Sequence, residues 1–372
     1  MKIAFLCGSL EPGFDGVGDY TRQLAVELIR LGHAVIAIAI CDFNIDREYR
    51  GYQRSEEVSL TVLRIPAVTN FSERLKRIKD CIDLHNPDWI SFQFVPYSFH
   101  AQGLVFKLAW HLKMICRRAR CQLMMHELWV GMDENATIKR RCLGWLQRQS
   151  IKLLIHRLKP VIISTQSLLY AEHLCRLGYQ PKYLPLFSNI NNQFIDEGRS
   201  VGESVNKLSL VLFGSIHPDT AVDDFADDIA NYKAKMKSDV CLIFLGNCGA
   251  LQEHWVNVWK AKGLPLKILG QQPPNVISGI LRTAALGIAT TPTALLDKSG
   301  SVAAMREHGL TVLAVTSNWR PRGIKVPALP PGIIKFTKGN LEQIIKAKTY
   351  IPHDLNVAKV ARKLEGLLLR YS

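Results

Sequence analysis

At 372 residues the chain is long enough for two domains, each able to bury its own core. A composition of 48% hydrophobic and 21% charged residues excludes a disordered chain, and the apolar runs are too short to span a bilayer. The net charge of +15 is uneven: residues 107–159 carry twelve Lys/Arg against three Asp/Glu. Such a band suits anionic lipid headgroups, and so peripheral membrane contact, or an anionic acceptor. No nucleic-acid module signature accompanies it and its cations are not interleaved with aromatics, so nucleic acid is not an expected partner.

Nine cysteines, an odd number set mostly in apolar segments such as those of Cys7, Cys41 and Cys241, imply no disulfide framework. Cys116 and Cys121 lack a second ligand pair and are not read as a zinc site. The opening apolar run meets Glu11, Pro12 and Asp15 instead of a small-residue cleavage site, so it reads as a first strand and the protein as cytoplasmic.

In chain order, 2–7 reads as a strand, 8–18 as a glycine-punctuated loop, 19–31 as a helix and 34–41 as a second apolar strand. This βαβ opening predicts a parallel sheet with helices on both faces. The alternation continues with strand 58–65, helix 72–84, strand 89–94, helix 100–117, strand 122–125, a long basic helix 137–158, strand 161–164, helix 166–177 and strand 183–186. The basic helix is apolar at Ile138, Cys142, Trp145, Leu146, Leu153 and Leu154, which fits a membrane surface or an ordinary solvent flank. A stretch through 185–206, rich in polar, Gly and Ser residues, marks a domain boundary. Beyond it, strands 208–213, 240–245, 266–269, 285–290 and 310–315 alternate with helices 222–237, 251–262, 275–284 and 302–309, and helices 340–345 and 354–370 close the chain. The expected domains are two doubly wound α/β units, 1–190 and 205–353, and a closing segment, 354–372.

Glycine-bearing turns stand at the strand ends. Asp297-Lys298-Ser299-Gly300-Ser301 gathers an ammonium, two hydroxyls and backbone N–H groups at a helix start, where the dipole favours an anion; the plainer role is that Ser299 or Ser301 caps the helix. Gly13-Phe14-Asp15-Gly16-Val17-Gly18-Asp19-Tyr20-Thr21 reads as a glycine-rich lip, or as a loop with Asp19 as helix cap. Its spacing departs from the dinucleotide fingerprint, although Asp42 stands where the ribose-binding acid would. His126-Glu127, at a strand end, can orient a hydroxyl or take a proton, although a lone histidine is more often structural. Gly214-Ser215-Ile216-His217 and Gly246-Asn247-Cys248-Gly249 repeat the strand-then-turn pattern.

Gly16-Val17-Gly18-Asp19-Tyr20-Thr21 leading to Leu24-Ala25 and Gly32-His33-Ala34-Val35, the His126 strand end, Phe213-Gly214, and the segment around Gly300 and Gly309 together resemble the nucleotide-sugar-dependent retaining glycosyltransferases of family 4. The resemblance covers essentially the whole chain. It implies the GT-B fold: two Rossmann-like domains with parallel sheets facing a central cleft, the first binding the acceptor and the second the nucleoside diphosphate sugar, with the final helix crossing back. By position it puts His126 near the transferred sugar and Asp297 in the place of the family's first motif glutamate, which with Asp19 are the candidate catalytic groups. Gly18, Gly214, Ser215, His217, Gly246, Lys298, Ser299, Gly300 and Ser301 would surround the donor, and Gly16, Tyr20 and Glu127 the acceptor. Two departures stand out. Ser215 and Thr220 occupy the family's Arg and Lys positions, and Met305, eight residues beyond Asp297, with Ala304 beside it, replaces a glutamate. The implied activity is hexose transfer from a nucleoside diphosphate sugar, UDP-sugar first, to a saccharide or lipid-linked acceptor, with no cofactor or metal beyond that co-substrate. The alternatives are a nucleotide-sugar epimerase and a non-catalytic partner subunit of the same fold.

Overall fold

Two runs nearly free of polar residues, Lys2–Cys7 (β1) and Ala34–Asp42 (β2), are buried beyond their first residues, as central parallel strands covered on both faces must be. They pair in parallel, Ile3 beside Val35. The computed structural model describes residues 1–55, 57–116, 118–190, 207–316, 319–346 and 356–371, so of the expected boundary stretch 185–206 the part 191–206 lies outside the described residues. The chain forms two compact units: Met1–Pro185 with Arg322–Ile324 and Val357–Ser372, and Leu186–Pro321 with Lys325–Asn356.

The first unit continues through α1 (Gly16–Arg30), β3 (Tyr49–Ser55), β4 (Val58–Pro66), α2 (Phe71–His85), β5 (Trp89–Phe94), α3 (Phe106–Ile115), β6 (Arg120–Met125), α4 (Ile138–Leu158), β7 (Ile162–Thr165), α5 (Leu168–Cys175) and β8 (Lys182–Tyr183). Its sheet has the order β3-β4-β2-β1-β5-β6-β7-β8. All pairs are parallel except β3 with β4, which form an antiparallel hairpin.

Several expectations need correction. Strand β3 was not predicted: Tyr-Arg-Gly-Tyr-Gln-Arg-Ser has no apolar run, and as an edge strand it stays largely exposed. Helix α1 starts at Gly16, not Asp19, because Asp15 is its cap, accepting from the N–H groups of Val17 and Gly18 at 3.2 Å. Helix α3 starts at Phe106 because the His100 ring nitrogen Nδ1 accepts from the N–H groups of Gln102 and Leu104, tying that segment into a local turn. The apolar face expected on α4 is inverted in the helix's first half, where Ile138, Trp145 and Leu146 are exposed while Gly144, Gln147 and Ser150 are buried; in the second half Leu154, on the expected face, is buried with Ile151, Ile155 and Leu158. The Gln147 amide explains the inversion, accepting from Val130 N–H at 2.9 Å and donating to Tyr97 Oη at 2.9 Å and Gln102 O at 2.8 Å.

The second unit contains β9 (Lys207–Phe213), α6 (Val222–Met236), β10 (Asp239–Leu245), α7 (Gln252–Ala261), β11 (Leu266–Gly270), α8 (Pro274–Thr283), β12 (Leu286–Ala289), α9 (Gly300–Glu307), β13 (Val312–Ala314), β14 (Ile333–Lys335) and α10 (Leu341–Lys346). Its parallel sheet has the order β11-β10-β9-β12-β13-β14. Phe225, Trp255, Trp259 and Phe336 fill one face of it. The last helix, α11 (Val357–Arg370), belongs to the first unit and packs on α1, where His33 Nε2 meets Glu365 Oε1 at 2.8 Å. Residues 354–355 of the expected closing helix lie outside the described residues. Among the described residues no helix is long and apolar enough to cross a membrane, and all nine cysteines are free.

Asp42, fully buried at the end of β2, gathers the loop that follows β1. Its carboxylate accepts from Ser9 Oγ at 2.9 Å, Leu10 N–H at 3.2 Å, Asn44 N–H at 3.0 Å and Arg64 Nε at 2.7 Å. Burial alone would raise this carboxyl, but the Arg64 guanidinium and the backbone N–H groups outweigh it and hold it below the usual carboxylate range. Asp42→Ala leaves a buried guanidinium with only Glu11 as its acidic partner and is expected to destabilise the first unit by about 3–5 kcal/mol in urea unfolding. A loss below about 1 kcal/mol would mean that Glu11 alone satisfies Arg64.

Candidate functional site

In the second unit β9 and β12 are neighbours in parallel, so their carboxyl ends deliver two turns to one edge of the sheet. The chain leaves β9 at Gly214, whose φ of +83° favours glycine, and the Gly214 N–H donates to Leu245 O at 3.0 Å. The Thr290 hydroxyl, beyond β12, ties this turn down by donating to Ser215 O at 3.1 Å and accepting the His217 N–H at 3.0 Å. A 3₁₀ turn then runs from Thr293 to Lys298, where the sequence reading had placed no element, and Ser299 caps α9 by accepting the Val302 N–H at 3.4 Å. Ser299 Oγ lies 3.1 Å from Ser301 Oγ and 3.5 Å from Thr291 Oγ1.

Ser301 rests on Gly214: a Cβ at position 214 would come within 3.3 Å of Ser301 Cβ. Lys298 stands close enough to His217 for its charge, after burial, to lower the imidazole below its ordinary value. Gly214, Ser215, His217, Lys298, Ser299 and Ser301 are therefore brought together. Gly300 is exposed in the first helical turn and Asp297 is half-buried before it. Gly246, ending the adjacent β10, packs its α-carbon on the Phe213 ring and donates its N–H to Gly270 O at 2.7 Å. Clustered hydroxyls, an ammonium and a helix N-terminus can hold a phosphate.

In the first unit His126 is buried, with Nε2 2.8 Å from Gln93 Oε1, Nδ1 2.9 Å from Gln166 Oε1, and the Tyr20 ring edge-on at 4.9 Å. The network continues from Gln93 Nε2 to Ser91 Oγ at 2.6 Å and from Ser91 Oγ to Gln122 Oε1 at 2.5 Å. Burial pushes the Tyr20 phenol up. Gly18 gives its N–H to Asp15, and its α-carbon meets the Ser9 carbonyl so closely that a Cβ would lie 2.6 Å from that oxygen. Asp19 accepts the Gly13 N–H at 3.0 Å and pairs with Arg22. Gly16 is exposed and Glu127 half-buried. Asp42 is wholly engaged in the core, which leaves the dinucleotide fingerprint without its acid.

No protein-family model and no curated protein sequence matches the chain. Solved structures do. A glycosyltransferase from Rickettsia africae is 12% identical with a TM-score of 0.60, over 100% of this chain and 99% of that one. The lipopolysaccharide outer core galactosyltransferase WaaB, in its apo form, is 12% identical with a TM-score of 0.57, over 100% of both chains. HepE of Anabaena, in complex with UDP and glucose, is 14% identical with a TM-score of 0.54, over 100% of this chain and 95% of that one.

The chain has the GT-B fold.

Within this GT-B chain, Ser215, in the family's Arg position, is exposed, whereas Thr220, in the Lys position, accepts the Trp255 indole N–H at 3.1 Å and serves packing. Ala304 and Met305 are core residues. Sequence reasoning missed Thr290, whose only signal was its place at the end of an apolar strand, and Glu307, a half-buried carboxylate at the end of α9. Glu307 Oε2 accepts the Ser188 N–H at 3.2 Å, and burial, against that bond, raises its carboxyl from the ordinary 4.5 to about 7. The folded state thus holds a proton that the unfolded state releases, and the associated stability is full below about pH 4.5 and lost as pH rises through about 7. Thermal melts from acid to neutral pH should show this decline in the wild type and a flatter profile in Glu307→Gln; identical profiles would count against it. Lys298→Met should raise the His217 pKa toward its ordinary value in an NMR titration, and an unmoved pKa would show that the two side chains do not interact.

Proposed function

We propose that the chain is a cytoplasmic retaining glycosyltransferase resembling family 4, moving a hexose from a nucleoside diphosphate sugar, UDP-sugar first, to a saccharide or lipid-linked acceptor. The observation that carries this reading is the convergence of Lys298, Ser299, Ser301 and His217 on the Gly214 turn at the carboxyl ends of β9 and β12. Negative charge develops on the departing diphosphate, and an ammonium and oriented hydroxyl and N–H donors at a helix N-terminus stabilise it there. Lys298 takes over the cationic role that Ser215 and Thr220 do not fill. The acceptor hydroxyl, bound by the first unit, attacks from the face the diphosphate leaves. In this assignment His126, Asp297 and Asp19 are the catalytic groups, His126 near the transferred sugar and Asp297 contacting it, while Gly16, Tyr20 and Glu127 shape the acceptor side, and no cofactor beyond the sugar nucleotide is used. The basic band provides peripheral membrane contact.

Removing one charge-assisted hydrogen bond costs about 1.5–3 kcal/mol. Lys298→Ala should therefore weaken UDP binding on the order of ten- to a hundredfold by calorimetry and lower transfer in step. Unchanged UDP affinity and turnover would remove Lys298 from the site. A transferred sugar with inverted anomeric configuration by NMR would rule out retention.

A second reading is nucleotide-sugar epimerisation, since a putative UDP-N-acetylglucosamine 2-epimerase from Listeria monocytogenes is also similar, at 10% identity and a TM-score of 0.51 over 100% of this chain and 96% of that one. Epimerised donor formed without any acceptor would favour it. Failure to bind any nucleoside diphosphate would favour the third reading, a non-catalytic partner subunit.

A further inference from the structure

A cavity of about 340 Å³ opens in the first unit where the chain leaves β6, within the size range of small-ligand sites. Two close backbone approaches build it. A Cβ at Gly144 would lie 2.0 Å from Val130 O and one at Gly131 would lie 2.6 Å from Arg140 O, so the loop after β6 lies directly on α4. The Arg322 N–H closes one side by donating to Met132 O at 2.7 Å.

The lining is cationic and aromatic. Arg141, Arg148, Arg176 and Arg322 contribute to it, together with Trp129, Trp145 and His173, and among the described residues no carboxylate lines it. Arg176 is anchored by Gly323 O at 2.6 Å and by Glu172 at 2.9 Å, and Arg141 by Glu134 O at 2.7 Å. The Arg148 guanidinium lies 5.8 Å from the Trp129 ring centre. Yet Arg141 Nε, Arg148 Nε and His173 Nε2 are buried with no hydrogen-bond partner among the described residues. Burial, and then the charges of Arg176 and Arg148, lower the His173 imidazole to about 4, so at neutral pH it adds no charge to the arginines' field. Two desolvated guanidinium Nε–H donors in one lining, without acceptors among the described residues, suit an oxyanion. The exposed Trp145 at its margin offers a flat apolar face to the ring of a sugar.

We infer that this cavity binds a phosphorylated saccharide, with the arginines taking the phosphate and Trp145 the ring, and that it recognises a phosphate-bearing acceptor. The acceptor role rests on the glycosyltransferase reading; the binding itself does not.

Calorimetry of the full chain with glucose 6-phosphate, glucose and inorganic phosphate tests it, with UDP as the control for the site in the second unit. Wild type should bind glucose 6-phosphate more tightly than phosphate, and glucose not measurably. Arg141→Gln with Arg148→Gln should weaken glucose 6-phosphate at least about tenfold and leave UDP binding unchanged. Trp145→Ala, at an exposed position that folding does not depend on, should weaken glucose 6-phosphate several-fold while sparing inorganic phosphate. No glucose 6-phosphate binding to wild type, or equal binding to the double variant, overturns the inference. So does a double variant that loses binding to phosphatidylglycerol vesicles alone, which would make the cavity a headgroup site. Absence of UDP binding in wild type with glucose 6-phosphate binding intact would overturn the glycosyltransferase reading and leave the cavity assignment standing.

Discussion

Ser301 rests against Gly214 so closely that a Cβ there, at 3.3 Å from Ser301 Cβ, would crowd it, and the positive φ of Gly214 already favours glycine. That contact sets how closely the first turn of α9 approaches the turn after β9, and the remaining positions follow from it. Thr290 must lie between the two turns, where its hydroxyl gives one hydrogen bond and takes another, and Ser299 must face both Thr291 and Ser301. The donors are held by the backbone of neighbouring parallel strands, so they are oriented before any ligand arrives, which is the condition under which fixed dipoles stabilise developing charge most effectively.

The surplus of positive charge is divided among different surroundings. Along α4, Arg141 and Arg148 turn into the cavity, while Arg157 stacks 3.5 Å over the Trp110 ring. Nearby Arg120 lies over Trp89. A band that is uniform when counted along the chain becomes a set of separate sites once the helix fixes directions. Three acids of the first unit, Asp15, Asp19 and Asp42, each hold neighbouring groups in place. Asp15 caps α1, Asp19 holds Gly13 and Arg22, and Asp42 anchors the loop after β1.

The two parallel sheets were legible because strands buried on both faces read as continuous apolar runs. The hairpin strand β3 was not, since an exposed edge needs no apolar side chain. Helix α4 misled in its first half because the buried positions there are Gly144, Gln147 and Ser150, which serve close approach and hydrogen bonding, while apolar Ile151, Leu154, Ile155 and Leu158 are buried only further on. The grouping of Ser299 and Ser301 at the start of α9, with Lys298 just before it, could be read from their local order. The arginine cavity could not, because its residues come from the loop after β6, from α4, from α5 and from Arg322, which only folding brings together.

Helix α11 buries Val360, Ala361, Leu364 and Leu368 in a unit whose other strands and helices lie before Pro185. The second unit is thus a nearly continuous insert in the first. During synthesis the surface of α1 that α11 covers stays wet until the ribosome has made the whole insert, whereas the second unit can fold as soon as its own strands emerge. The first unit, although begun earlier, is therefore the later of the two to be completed, and a nascent chain stalled before Val357 carries an apolar stripe for chaperones to bind.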